Sequence, residues 1–260
     1  MSRSELSVQL YTVRTALAED LPGTLARIAG LGFRDVELFD FVDQAQEYVA
    51  QLAACGLRAP SGHASLLDEE TSRVFDAAEA IGMRTVIQSM VAADQWADVA
   101  GVRATATALN AVAAEAADRG LQVGYHNHWW ELQSIIGGVN ALERFAGYLD
   151  DAVVLEVDTY WAQTGGVDPA ALLRRLGDRV RFLHVKDGPA TLDVREQVAV
   201  GAGSLDVAAI IGAAPQAQRV VELDDFAGDV FEALRDSVAY LTEQTEQTEQ
   251  TEQTEQSVTA

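Results

Sequence analysis

Short β-branched or apolar runs alternate with segments of helical period from the N-terminus to about residue 241. Eight runs read as strands: Leu6 to Tyr11, Asp35 to Phe39, Leu57 to Gly62, Thr85 to Ser89, Gln122 to His126, Val153 to Asp158, Val180 to Val185 and Val220 to Leu223. Between them lie helix candidates at Pro22 to Ala29, Gln44 to Ala54, Glu69 to Ala80, Val99 to Asp118, Val139 to Tyr148, Pro169 to Leu176, Asp206 to Ile211 and Asp229 to Thr242. Several end in a glycine suited to a helix C-cap, among them Gly56, Gly82 and Gly120.

Strand then helix, eight times over, predicts a parallel sheet with right-handed crossovers. Eight such units in this length close most economically into a single (β/α)8 TIM barrel. An open doubly wound sheet competes, but the glycine-rich turn that follows its first strand is missing, since the chain there reads VQLYTVRTALAED. The domain therefore spans residues 1–241. Residues 242–260 separate on composition: TEQ five times over and then SVTA, read as a low-complexity tail that extends the last helix for a turn or two or is disordered.

Composition narrows the function classes. Of 260 residues, 48% are hydrophobic, enough to bury a core. One cysteine, Cys55, allows neither an internal disulfide nor a Cys-rich zinc site. The N-terminus shows no basic-then-apolar leader, and no apolar run reaches the roughly 18 residues that span a bilayer. A cytoplasmic location is the expectation. The net charge of −22 repels phosphate backbones and anionic lipid, so neither nucleic acid nor a membrane surface is an expected partner. The 18 basic residues are 17 arginines and a single lysine, Lys186.

The reactive side chains collect where a barrel of this kind builds its site, at the C-terminal ends of the strands. All four histidines do so: His63 after the third predicted strand, His126 and His128 at the end of the fifth, His184 in the seventh. Asp158 ends the sixth strand and Glu222 lies in the eighth, both flanked by apolar residues. One such carboxylate alone would be read as a loop cap (Asp158) or an arginine partner (Glu222). Two imidazoles and two carboxylates on four consecutive strands point instead to a shared divalent metal. His126, Asp158, His184 and Glu222 form that set, with His128 able to replace His126 on the same strand face. The mixed N/O donors suit manganese, with cobalt, zinc, iron or magnesium as alternatives.

At these residues the sequence resembles the xylose isomerase-like TIM-barrel superfamily, the sugar phosphate isomerase/epimerase proteins that include ketose 3-epimerases and inosose dehydratase. The resemblance rests on SVQLYTVR with ARIAGLGFRDVELF, then VGYHNHWWEL, LEVDTYWAQTGGVDPAALLRRLGDRVRFLHVKDG, VGAGSLD and VVELDDF. It implies one metal held from strands five to eight, commonly by Glu, Asp, His and Glu, which selects His126 over His128 here. Histidine at 126 departs from the ketose epimerases, where two glutamates work on opposite faces of the substrate; here Glu222 alone matches. Inosose dehydratase-like members resemble this chain in having histidine there. Trp161 stands where epimerases tend to carry a substrate-binding histidine.

Around the metal set, Gln9, Tyr11, Glu37, His63 and Gln88 at the ends of strands one to four are candidates to bind hydroxyls, with His128 and Trp161. Trp129 and Trp130 can wall the pocket or pack its rim. Lys186, two residues beyond His184, is expected beside the metal, stabilising an enolate oxygen or acting as an acid once burial lowers its pKa. The reading is a divalent-metal-dependent sugar isomerase or epimerase that removes a proton beside a carbonyl through an enediolate, with Glu222 as base. A dehydratase or lyase acting by β-elimination on a keto-inositol or 3-keto sugar is the alternative, and a non-catalytic sugar-binding barrel a further one. The expected partner is a small carbohydrate or polyol, and the resemblance allows a homo-oligomer.

Overall fold

The computed structural model describes residues 6–259, and side chains through residue 245. Eight parallel strands follow one another round a closed barrel: β1 (Ser7–Gln9), β2 (Asp35–Leu38), β3 (Arg58–Ala64), β4 (Thr85–Gln88), β5 (Gln122–His126), β6 (Val153–Asp158), β7 (Val180–Val185) and β8 (Gln218–Val221). The last strand returns to the first through Ser7↔Val220 and Val8↔Val221, which closes the ring. The architecture is the (β/α)8 barrel that the alternating pattern predicts.

The boundaries shift in ways that matter to the site. Strand β1 stops at Gln9, and Tyr11 falls in a short 3-10 turn, Leu10–Val13. Strand β3 runs on to Ala64, so His63 lies within the strand rather than after it. Strand β8 begins at Gln218 and ends at Val221, which leaves Glu222 one residue beyond it, its N–H directed at the Val185 carbonyl at 3.4 Å. The segment expected as a helix from Val139 to Tyr148 opens as one strand of a small hairpin, Val139–Asn140 against Ile135–Ile136, before the helix Ala141–Ala146. Three short helices that the pattern missed, Arg14–Glu19, Trp129–Gln133 and Thr159–Thr164, follow β1, β5 and β6, the first of them after the 3-10 turn. Each is under two turns, too short to display a helical period. The last helix, Val230–Thr259, continues through the TEQ repeats, well beyond a turn or two; Glu and Gln are good helix formers, and no Gly or Pro interrupts them.

Inside the barrel, strand alternation stacks side chains in layers. Ile87, Val154, Phe182 and Val220 make a small apolar plug. Two residues beyond Val154, Phe182 and Val220 the interior turns polar: Glu156, His184 and Glu222 are buried, as is His126, two residues beyond Gly124 on β5. The larger apolar core, with Leu10, Leu25, Phe33, Leu38, Val86 and Tyr125, lies between the outer faces of the strands and the helices. No helix among the described residues is long and apolar enough to cross a membrane.

Candidate metal centre and active-site cavity

Period-two alternation places His126 and His128 on one face of β5 and its extension, Glu156 and Asp158 on one face of β6, His184 and Lys186 on one face of β7, and Glu222 and Asp224 on one face beyond β8. The barrel interior thus carries two polar tiers. In the lower tier, Oε2 of Glu156 gathers three imidazoles: His63 Nε2 at 2.6 Å, His126 Nδ1 at 3.1 Å and His184 Nε2 at 3.1 Å. Glu37, fully buried, faces His184 Nε2 at 2.8 Å and His63 Nε2 at 3.2 Å, and accepts from Gln9 Nε2 at 2.9 Å and Ser61 Oγ at 2.6 Å.

These contacts orient the upper tier. With His126 Nδ1 turned to Glu156, its Nε2 faces Asp158 Oδ2 at 3.9 Å. With His184 Nε2 turned to Glu37 and Glu156, its Nδ1 faces Glu222 Oε2 at 2.7 Å. Ligand atoms of Asp158, His184 and Glu222 lie within 4.8 Å of one another, all in buried residues. Asp158 Oδ2, 2.9 Å from Lys186 Nζ, and His184 Nδ1, 2.7 Å from Glu222 Oε2, are both buried. A divalent cation is a ligand that an imidazole nitrogen and carboxylate oxygens gathered this closely can share. A carboxylate holding the far nitrogen of each imidazole is also the usual support of a metal-binding histidine. Asp158, His184 and Glu222 thus form a donor set that could hold a divalent ion, and His126 Nε2 stands 3.9 Å from Asp158 Oδ2 beside it. His63, His126, Glu156 and His184 converge as a second such group one tier lower.

The ionisation states follow from burial and neighbours. Burial raises the Glu156 carboxyl, as does the Glu37 charge, yet His184 and His63 outweigh them and bring it down to about 2. Burial disfavours the charged form of His63 too, but Glu37 and Glu156 lift it to about 9. His126 is pushed well down, by burial first and then by the charge of His184. Asp158 is raised to about 6, chiefly by burial, against the pull of Lys186 and His184.

Lys186 corrects an expectation. Its Nζ sits 2.9 Å from Asp158 Oδ2, 2.6 Å from Glu222 Oε2 and 2.8 Å from Asp224 Oδ2, at 1% exposure. Burial pulls its pKa down as expected, but Asp158, Asp224 and Glu222 together carry it well above the usual lysine value. It is a fixed ammonium beside the upper tier, not an acid made labile by burial. Asp158 is a cap, as one reading of it had it: its Oδ1 accepts from Trp161 N at 2.8 Å and caps the helix after β6, while Oδ2 faces the tier. Glu222 pairs with Lys186 and His184, not with an arginine.

A cavity of about 540 Å³ opens above these groups and is lined by Gln9, Tyr11, His63, His126, His128 and Glu222 among others. The remaining hydroxyl-binding candidates lie elsewhere. Glu37 is withdrawn into the barrel among its four partners. Gln88, at 1% exposure, donates to Met90 O at 2.6 Å and accepts from Leu67 N at 3.1 Å, which ties down the loop after β3. Trp161 is buried outside the cavity lining, its ring 5.6 Å from Lys186 Nζ. His128 stacks on Trp130 at 4.3 Å, and burial holds it neutral, with its pKa at about 3. Trp96, not singled out from the sequence, packs on Tyr125 and Phe145 behind β5.

Glu156 and Asp224 escaped the sequence reading. The signal was present for both: each lies two residues from a residue already placed inside, so alternation turns it the same way.

The sequence matches the xylose isomerase-like TIM barrel family over residues 25–241. The chain belongs to that family. Among solved structures, a sugar phosphate isomerase/epimerase from Parabacteroides distasonis superposes with a TM-score of 0.78 at 23% identity, covering 93% of this chain and 94% of that one. An L-ribulose 3-epimerase superposes at 0.66 with 14% identity over 96% of this chain and 97% of its own. The IolI protein, whose structure has a bound zinc atom, also scores 0.66, at 12% identity over 92% and 97%. At these identities the likeness is one of fold. No curated protein matches the sequence. Members of the xylose isomerase-like family are sugar isomerases and epimerases, which supports an enzyme here.

Proposed function

We propose that the chain is a divalent-metal-dependent isomerase or epimerase of a small carbohydrate, working by removal of a proton next to a carbonyl. One observation carries this reading. Ligand atoms of Asp158, His184 and Glu222 lie within 4.8 Å of one another under the cavity, with His126 Nε2 3.9 Å from Asp158 Oδ2, while Glu156 and Glu37 hold the far nitrogens of both imidazoles. These four residues would hold the ion, and manganese suits the two-nitrogen, two-oxygen donor set, with cobalt, zinc, iron or magnesium as alternatives. When bound, such an ion polarises a carbonyl and stabilises negative charge on its oxygen.

The protein's own groups supply the rest. Glu222, at the cavity floor, is held well below the usual carboxylate range: burial opposes this, and Lys186 and His184 prevail. It is the carboxylate that takes the proton. Lys186 keeps a positive charge 2.6 Å from that carboxylate, where it also favours an enediolate oxygen. Gln9, His63 and His128 present hydrogen-bonding groups to the substrate hydroxyls from β1, β3 and the end of β5.

A second reading, β-elimination from a keto-inositol or a 3-keto sugar, is favoured by His126. An imidazole replaces what would be a second carboxylate across from Glu222, so a two-base exchange of protons on opposite faces lacks one partner. The deciding experiment incubates the metal-loaded protein with ketoses, inososes and 3-keto glycosides in D₂O and reads isotope incorporation and product mass together. Deuterium in an isomer or epimer supports the first reading, and loss of water or an alcohol the second. Ligand affinity that survives chelation, with no turnover of any of them, would leave a sugar-binding barrel.

A further inference from the structure

TIM barrels that bind phosphate commonly do so with backbone N–H groups of the loops after the seventh and eighth strands. The loop after β7 has such a nest of N–H groups, and one side chain of the chain itself fills it. The carboxylate of Asp187, at 1% exposure, accepts from Gly188 N at 2.8 Å and Leu205 N at 3.1 Å through Oδ1, and from Gly201 N at 2.9 Å and Gly203 N at 3.0 Å through Oδ2. The fit is close: a Cβ at Gly203 would lie 2.1 Å from Asp187 Oδ1. Four N–H groups converging on one buried carboxylate are the donor set an oxyanion would need, and none is left over for a ligand.

The cavity points the same way. Its lining carries five carboxylates, on Asp40, Asp43, Glu69, Glu222 and Asp224, against a single guanidinium, Arg73. Arg73 is engaged with Asp43 at 2.7 Å at the exposed lip. Lys186 below the floor already has three carboxylates around it. Arg14, near the mouth, lies over the Tyr11 ring and donates to the Tyr11 carbonyl. A dianionic group would meet this excess of carboxylates, and among the described residues the cationic side chains of the lining, Arg73 and His63, each already face a carboxylate.

Resting on the isomerase or lyase reading of the same site, we infer that the substrate is an uncharged ketose or cyclitol bearing neither phosphate nor carboxylate. This holds although relatives of the same fold are described as sugar phosphate isomerases/epimerases.

The test pairs each free sugar with its phosphate ester and compares kcat/KM for deuterium incorporation from D₂O. The free sugar should exceed its ester by at least about a hundredfold. Equal rates, or preference for the ester, would overturn the inference. Arg73→Ala should leave exchange of the free sugar within about twofold, since an exposed ion pair contributes little. A second measurement does not depend on turnover: inorganic phosphate is titrated to about 10 mM in thermal unfolding. No saturable rise in Tm is expected, and a saturable rise abolished by Arg73→Ala would overturn the inference. If no sugar of either kind exchanges, the proposed reaction fails while the phosphate titration still decides the charge preference.

Discussion

His126 turns its Nδ1 to Glu156 at 3.1 Å, and so its Nε2 is left facing Asp158. The glutamate touches no cavity surface, yet it sets which nitrogen of the ring is free. Glu156→Gln should therefore weaken divalent-metal binding by about 10- to 100-fold without removing a ligand. Chelator competition on protein shown folded by circular dichroism measures this. An unchanged affinity would mean that Glu156 serves only the barrel interior.

Two substitutions test the proposed base and the ligand set. Glu222→Gln should abolish exchange of the substrate's α-proton with solvent deuterium while the barrel stays folded. Retained exchange would take Glu222 out of the role of base. His184→Ala should lower the metal content per chain by elemental analysis, and an unchanged stoichiometry would count against the proposed ligand set.

The Asp187 clamp predicts a large stability effect at a residue outside the cavity. Asp187→Ala strands four backbone N–H groups and should cost about 3–5 kcal/mol in urea unfolding. Asp187→Asn keeps one acceptor oxygen, enough for Gly188 and Leu205, but turns an NH2 donor onto the Gly201 and Gly203 N–H groups, so it should recover less than half of that loss. A loss from Asp187→Ala below about 1 kcal/mol would show that the loop holds its shape unaided.

Glu131 gives the pH dependence. Burial raises its carboxyl from 4.5 to about 8, against the Tyr125 hydroxyl at 2.7 Å and the His128 N–H at 3.0 Å. A carboxyl raised on folding contributes stability that is complete below its unfolded value and disappears as pH climbs through the folded one. Stability should accordingly decline between pH 4.5 and about 8, by several kcal/mol if this group acts alone. Glu131→Gln, which cannot ionise, should flatten that part of the profile in thermal unfolding measured across pH. An equally steep decline in the variant would place the titration elsewhere.

The alternation of apolar runs with helical periods was enough to determine eight strands, their parallel order and the closed barrel, because each βα unit has its own local pattern and right-handed crossovers leave few ways to assemble them. Period-two alternation likewise determined that His126, Asp158, His184 and Glu222 turn inward, since the face a side chain occupies is a property of its own strand. The tertiary structure alone decided which of the inward groups meet. Glu37 and His184 are 147 residues apart and His63 and Glu156 are 93 apart, yet each pair touches inside the barrel. Such meetings depend on the stagger of strands round the ring and on side-chain reach across it, which no local pattern encodes. For the same reason Glu37 and Lys186, both expected to face the ligand, settled into buried ion pairs: the lowest-cost place for a charge inside a barrel is against an opposite charge, and where that partner lies is known only once the ring has closed.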